Sequence, residues 1–322
     1  MAIYRSATVA LALAGMLAVP PARAQDYPNR PVHLIVPYAP GGGADIVARL
    51  VAPKLTEAWG QPIVVENKPG ANGVVASEYA MQQPADGYTI VVGTLGSHGI
   101  MQYLSPNLGY DPLHDFTGIT ALVYSPLICL VAPLSPFRIM KELVDYARTT
   151  AMPFGSPGVG SQMHLIGEMF NLLYGTKFQH VAYRGVAPAM QDLIGGHIPM
   201  AIGEMGSAKP LVTSGQLRAL AITGTRRNAS VPDVPTFAEA GYAGFDVSSW
   251  FSLYVTTATP KLIVDKIARD VTAIVHAPEL SARLAQDGWE PGGGTPEDFN
   301  KTWLATSTKL GDVIRQRHIT LQ

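Results

Sequence analysis

Short apolar runs of strand length alternate with stretches of helical periodicity along nearly the whole chain, and this alternation restricts the fold more than any other feature. Strand-like runs fall at 32–36, 63–66, 89–93, 119–123, 128–132, 179–181, 200–202 and 217–222. Helical patterns fall at 45–59, 73–82, 139–148, 161–174, 187–193, 261–275, 279–286 and 296–316. In the first of these, Ile46, Val47, Leu50, Val51, Leu55, Ala58 and Trp59 mark one face and Gly60 stands where a helix ends. Pro53 inside it predicts a kink. The alternation implies an α/β fold with mostly parallel sheets, in which ligands bind beyond the carboxyl ends of the strands. A length of 322 residues favours two domains.

The first 24 residues read as a secretory signal peptide: Arg5, an apolar run from Ala7 to Val19, then Ala22-Arg23-Ala24. The run is too short to cross a bilayer, and no cysteine at the cleavage point offers a lipid acceptor. A soluble periplasmic product is expected. It retains about 300 residues, enough for a core that stands without disulfides. The single cysteine, Cys129, sits in an apolar run and reads as a buried strand position. A formal charge of −1, more negative once Arg5 and Arg23 are removed, gives no footprint for nucleic acid.

Four loops between a strand and a helix could carry chemistry. The first is Tyr38-Ala39-Pro40-Gly41-Gly42-Gly43-Ala44-Asp45, whose glycines can bring amide N–H groups to an anion at the positive end of the following helix. The alternative is a flexible turn with Asp45 as N-cap. The second holds Ser156, Gly158, Gly160 and Ser161, again leading into a helix. The third offers Thr94, Ser97 and His98 as polar contacts. The fourth is Arg184-Gly185-Val186-Ala187, where Arg184 either supplies fixed positive charge or is a solvated surface residue.

Nucleotide and catalytic motifs are missing. Met163 stands where GxGxxG needs its third glycine, no GxSxG surrounds Ser97 or Ser161, and the eight histidines show no HExxH spacing. No cofactor, metal site or enzymatic activity is expected.

Several long segments resemble the solute-binding proteins of tripartite tricarboxylate transporters, often called Bug proteins: YPNRPVHLIVPYAPGGGADIVARLVAPKL, GQPIVVENKPGANG, PADGYTIVVGT, GSPGVGSQMHLIGEMF, HVAYRGVAPAMQDLIGGHI, SGQLRALAITGTRR and VPDVPTFAEAGY. The resemblance implies a two-lobed, type II-like periplasmic binding fold whose hinge has two crossing segments. Residues 25–123 and 249–322 would form lobe 1, and 124–248 lobe 2. It also implies a small carboxylate or amino acid ligand, permease subunits in the membrane as partners, and a monomer. Charge-assisted hydrogen bonds of about 1.5–3 kcal/mol each make a handful sufficient for micromolar affinity, about −8 kcal/mol.

The sequence departs from the family after GGHI, where an aspartate and asparagine are common and Ala201-Ile202-Gly203-Glu204 stands here. Glu204 either lines the cleft, favouring a ligand with an amine or hydroxyl donor, or lies exposed near a helix start. The leading function is delivery of a carboxylate to a permease. A ligand-sensing subunit for a signalling receptor and an exported hydrolase are the competing readings.

Overall fold

The computed structural model describes residues 27–105, 107–183 and 185–321. The signal-peptide reading at 1–24 and the expected contact from Arg184 therefore lie outside the described residues.

The described chain folds as an α/β protein around two sheets. In chain order the elements of the first half are β1 (Val32–Val36), α1 (Gly43–Trp59), β2 (Ile63–Asn67), α2 (Val74–Met81), β3 (Thr89–Thr94), α3 (Met101–Leu104), α4 (Pro112–Asp115), β4 (Phe116–Ser125), β5 (Leu127–Val131), α5 (Met140–Thr149) and β6 (Met152–Ser156). There follow α6 (Gln162–Tyr174), β7 (Phe178–Ala182), α7 (Val186–Ile194), β8 (Met200–Glu204), α8 (Met205–Thr213), β9 (Arg218–Ile222), β10 (Ser249–Thr256), α9 (Lys261–Val275), α10 (Pro278–Gln286), β11 (Glu290–Gly293) and α11 (Pro296–Gln316).

The first sheet has the order β11-β4-β10-β3-β1-β2 and the second β7-β6-β8-β5-β9. The chain passes from the first sheet to the second at Pro126, between β4 and β5, and returns ahead of β10. The sheets are mixed rather than mostly parallel. β1 pairs in parallel with β2 and β3, and β6 with β7 and β8. β5 runs antiparallel to β8 and β9, and β10 antiparallel to β3 and β4. The crossings account for the difference: β5 and β10 each enter a sheet at the end where β8 and β3 finish, and must run away from it.

β5 reads LICLV and is buried throughout, with Cys129 at its centre, where burial pushes the thiol up to about 12. Three strands gave no pattern in the sequence. β6 carries Pro153 and Gly155, β11 reads Glu-Pro-Gly-Gly, and β10 is buried on both faces along most of its length, so none of the three shows an alternation. α1 runs uninterrupted through Pro53 and closes at Gly60, whose left-handed backbone (φ 64°) returns its N–H to Thr56 O. Its buried face, including Val47, Val51 and Leu55, packs with β1 and α9.

The second half of the chain also ties the two sheet systems together at their flanks. Past the end of α11, Arg317 Nε donates to Glu168 Oε2 on α6 at 2.5 Å. Lys209 Nζ on α8 donates to the carbonyls of Ala285 and Gln286, and Arg226 and Asn228 both reach Glu290. Among the described residues no helix is long and apolar enough to cross a membrane.

Candidate functional site

The carboxyl ends of β1, β3, β6 and β8 all open on one cavity of about 710 Å³ between the two sheets. Each is followed by a turn or loop into a helix. The first turn of α1 contributes Gly42, Gly43 and Ala44, the entry to α6 contributes Gly158, Gly160, Ser161 and Gln162, and α7 contributes Val186 at its first residue. First-turn amides of a helix have no partner within the helix, and the helix dipole adds positive potential there. Such ends meeting in one space make a receptacle for an anion. Among the described lining residues there is no Lys, Arg or His.

The α1 end is held from behind. Asp45 is buried in the first helical turn, and its carboxylate accepts from Gly41 N at 2.9 Å, Arg49 Nε at 3.0 Å and Asn67 Nδ2 at 2.9 Å. Burial alone would raise its pKa; these donors outweigh it and hold the carboxyl below the usual range. Asp45 is therefore a brace for the loop and does not line the cavity. The N-cap is Gly42, not Asp45. Ala39, Pro40 and Gly41 form the exposed tip of the loop, outside the cavity wall. Tyr38 does line it, with its hydroxyl 3.1 Å from both Thr94 Oγ1 and Asn72 Oδ1.

The α6 end rests on a hydrogen-bonded stack. Ser161 Oγ accepts from His164 N and donates to Gly158 O. Gly160 N donates to His164 Nδ1 at 3.0 Å, which leaves the proton of a neutral His164 on Nε2, facing Glu168 Oε1 at 3.7 Å. The His164 ring stacks on His180 at 3.7 Å, and His180 Nε2 lies 2.6 Å from Ser156 Oγ. Burial, then the neighbouring His164, pulls the His180 pKa down to about 4. Burial would raise Glu168, but hydrogen bonds from His164, Asn171 and Arg317 bring it down to about 2. The Ser156–His180 contact has the spacing of a nucleophile and base. Ser156 has no exposed surface, however, and its hydroxyl is also tied to Ser161 and Gly158. It supports the loop from below and is not a cavity residue.

Ser97 and His98 also fall away from the cavity. After Thr94 and Leu95 the chain winds into a π-helical turn, Gly96–Ile100, that turns both side chains into the core. His98 stacks on Tyr254 at 4.1 Å and contacts Phe116 edge-on; burial alone lowers its pKa to about 3. Thr94 and Gly96 remain on the wall. On the fourth loop Val186 reaches the cavity, whereas Gly185 and Ala187 on either side of it do not.

Glu204 ends β8 and caps α8, and it lines the cavity. Its side chain makes no capping bond; instead Oε1 accepts from Ser249 Oγ at 3.0 Å, on the first residue of β10. Burial pushes its pKa up, partly offset by the Ser249 hydroxyl. Sequence reasoning missed Ala71 and Asn72, Leu104 and Ser105, and Ser249 and Phe251, all on the wall. The Asn72 loop was open to discovery, being a glycine-flanked strand-to-helix junction like the others. Among the described residues no group of three or more His, Cys, Asp or Glu could hold a metal ion.

A cleft between two sheets, between which the chain crosses twice, lined by helix N-termini, is the frame in which the comparisons with known proteins fall. A family model described as the tripartite tricarboxylate transporter family receptor matches residues 47–319. The chain belongs to this family. The receptor is 33% identical to Protein BugT of Bordetella pertussis (strain Tohama I) over 290 residues, covering 89% of the receptor and 88% of BugT. Among solved structures, an R. palustris protein with adipate is 34% identical, with a TM-score of 0.79 over 92% of the receptor and 100% of that chain. MatC from Rhodopseudomonas palustris, with bound malate, is 31% identical, with a TM-score of 0.73 over 89% of the receptor and 100% of MatC. The two-lobed α/β fold and solute binding are thus properties the receptor shares with its family.

Proposed function

We propose that the receptor captures a small organic carboxylate in the cavity between its two sheets and delivers it, in the periplasm, to the permease subunits of a tripartite tricarboxylate transporter. The observation that carries this reading is the convergence of the α1, α6 and α7 N-termini on one space with no side-chain cation among the described lining residues. Such a surface suits a carboxylate, which accepts several N–H bonds at once. The relatives solved with adipate and malate support the ligand class.

The mechanism follows from where the donors sit. Gly42 to Ala44 belong to the first sheet system; Gly160, Ser161 and Val186 belong to the second. A carboxylate engages both sets only when the lobes are together, so binding favours the closed form by its differential contacts. The Arg317–Glu168 and Lys209–Ala285 bonds flank this movement.

A thermal-shift screen of mono-, di- and tricarboxylates, amino acids and aromatic acids against the refolded receptor tests the binding step. A ligand at about a hundredfold excess over its Kd adds about 2.7 kcal/mol of apparent stability. Stabilisation by a carboxylate class, confirmed by calorimetry, is the expected outcome; stabilisation only by uncharged solutes would sink the reading. Delivery is tested by ligand uptake into membrane vesicles carrying the permease, with and without the receptor.

A further inference from the structure

An acid stands inside a cavity otherwise suited to anions. Glu204 is half-buried, one carboxylate oxygen accepts from Ser249, and among the described residues no hydrogen bond reaches Oε2. An acid at a helix N-cap ordinarily accepts from the first-turn amides of its own helix. Here the side chain leaves α8 uncapped and turns to Ser249 at the start of β10, on the cavity wall. Tyr38 is the other ionisable group among the described lining residues, and burial, foremost, together with the Glu204 charge raises its pKa, so it stays a neutral phenol.

The charge balance then limits the ligand. Each helix N-terminus is equivalent to about half a positive charge, so the α1, α6 and α7 ends together supply about one and a half, enough for one carboxylate, and Glu204 places an acid on the same wall. A second ligand carboxylate would meet Glu204 with no described cation between them. A donor in the same place would satisfy Oε2.

We propose that Glu204 sets the ligand class of this receptor: a carboxylate whose other end carries a hydrogen-bond donor, an ammonium or a hydroxyl, in preference to a fully ionised dicarboxylate. This rests on the reading of the cavity as a carboxylate site. Ser249 acts as the positioning residue, holding the Glu204 side chain away from its own helix.

The test is calorimetric titration at neutral pH with matched three- to six-carbon series of ω-amino acids, ω-hydroxy acids and dicarboxylates, on the native receptor and on Glu204→Gln and Glu204→Asp. Gln keeps the size and an oxygen for Ser249; Asp keeps the charge, and melting curves check that both fold. The tightest donor-bearing acid is expected to bind at least tenfold better than the tightest dicarboxylate. Glu204→Gln should shrink that ratio at least tenfold, and Glu204→Asp should preserve part of it. Dicarboxylates binding as well or better in the native receptor, or a ratio unmoved by Glu204→Gln, would overturn the inference while leaving the carboxylate site standing. Failure of every acid in all three series would overturn both.

Discussion

Gly160, at the entry to α6, lies so close to Leu104 of α3 that a β-carbon on it would stand 2.3 Å from Leu104 Cδ1. Both residues line the cavity. Gly160 also holds φ at +73°, where an L side chain costs about 1–2 kcal/mol. Gly160→Ala should therefore wedge the lobes apart at the mouth of the site. Ligand affinity falls at least tenfold, and small-angle scattering shows no ligand-induced contraction.

Gly42 presents the opposite case. Its backbone is extended (φ −77°, ψ 163°), and an added β-carbon would meet only Ala39 O, at 3.5 Å. Gly42→Val is therefore expected to fold, with a melting temperature close to the native value, the weaker N-cap preference of valine working against the reduced freedom of the unfolded chain. Its side chain occupies the cavity wall beside the α1 amides. Carboxylate affinity drops at least tenfold; retention of full affinity would remove this loop from the site.

Removing the Arg317 guanidinium leaves the Glu168 carboxylate, whose side chain is only 9% exposed, with His164 and Asn171 as remaining donors. Because Arg317 itself is partly solvated, Arg317→Ala should cost about 1–2 kcal/mol in urea unfolding. Arg317→Lys should recover part of it. Ligand affinity responds as well, since Glu168 faces the Nε2 side of the imidazole that accepts the Gly160 N–H.

Acid should destabilise the receptor well above the ordinary carboxylate range. His98 and His180 have folded pKa values of about 3 and about 4, below the usual 6.5. The unfolded chain binds more protons in between, so their contribution is complete above pH 6.5 and is lost as pH falls through that interval. Glu168, at about 2 against 4.5, adds a loss that begins only below pH 4.5. Urea midpoints at pH 7.5, 5.5 and 4.5 are expected to fall stepwise. His98→Phe, which cannot titrate, should be less stable than the native receptor at pH 7.5 and close the gap at pH 4.5.

The strands and the glycine-marked loops were legible because their signals are local: apolar runs for β1, β3 and β5, and Gly-Gly-Gly or Gly-x-Gly before a helix for the helix ends that line the cavity. Which side chains of a loop face the cavity was not. Thr94 and His98 lie four residues apart in one loop, yet the π-helical turn at Gly96–Ile100 leaves the first on the wall and drives the second into the aromatic core. Leu104, Ser249 and Phe251 come to the cavity through tertiary packing of distant segments, which no spacing in the sequence encodes. The direction of β5 and β10 was hidden for a similar reason: only the crossing between the sheets dictates it.

The cavity floor made of helix ends also bears on how such receptors diversify. A main-chain donor survives almost any side-chain exchange, so under the carboxylate reading proposed above the capacity to hold one acid is inherited with the backbone itself. Side chains at the rim, Glu204 among them, are then free to change without forfeiting that capacity. A duplicated gene could acquire a new ligand in one or two steps while every intermediate still held an acid.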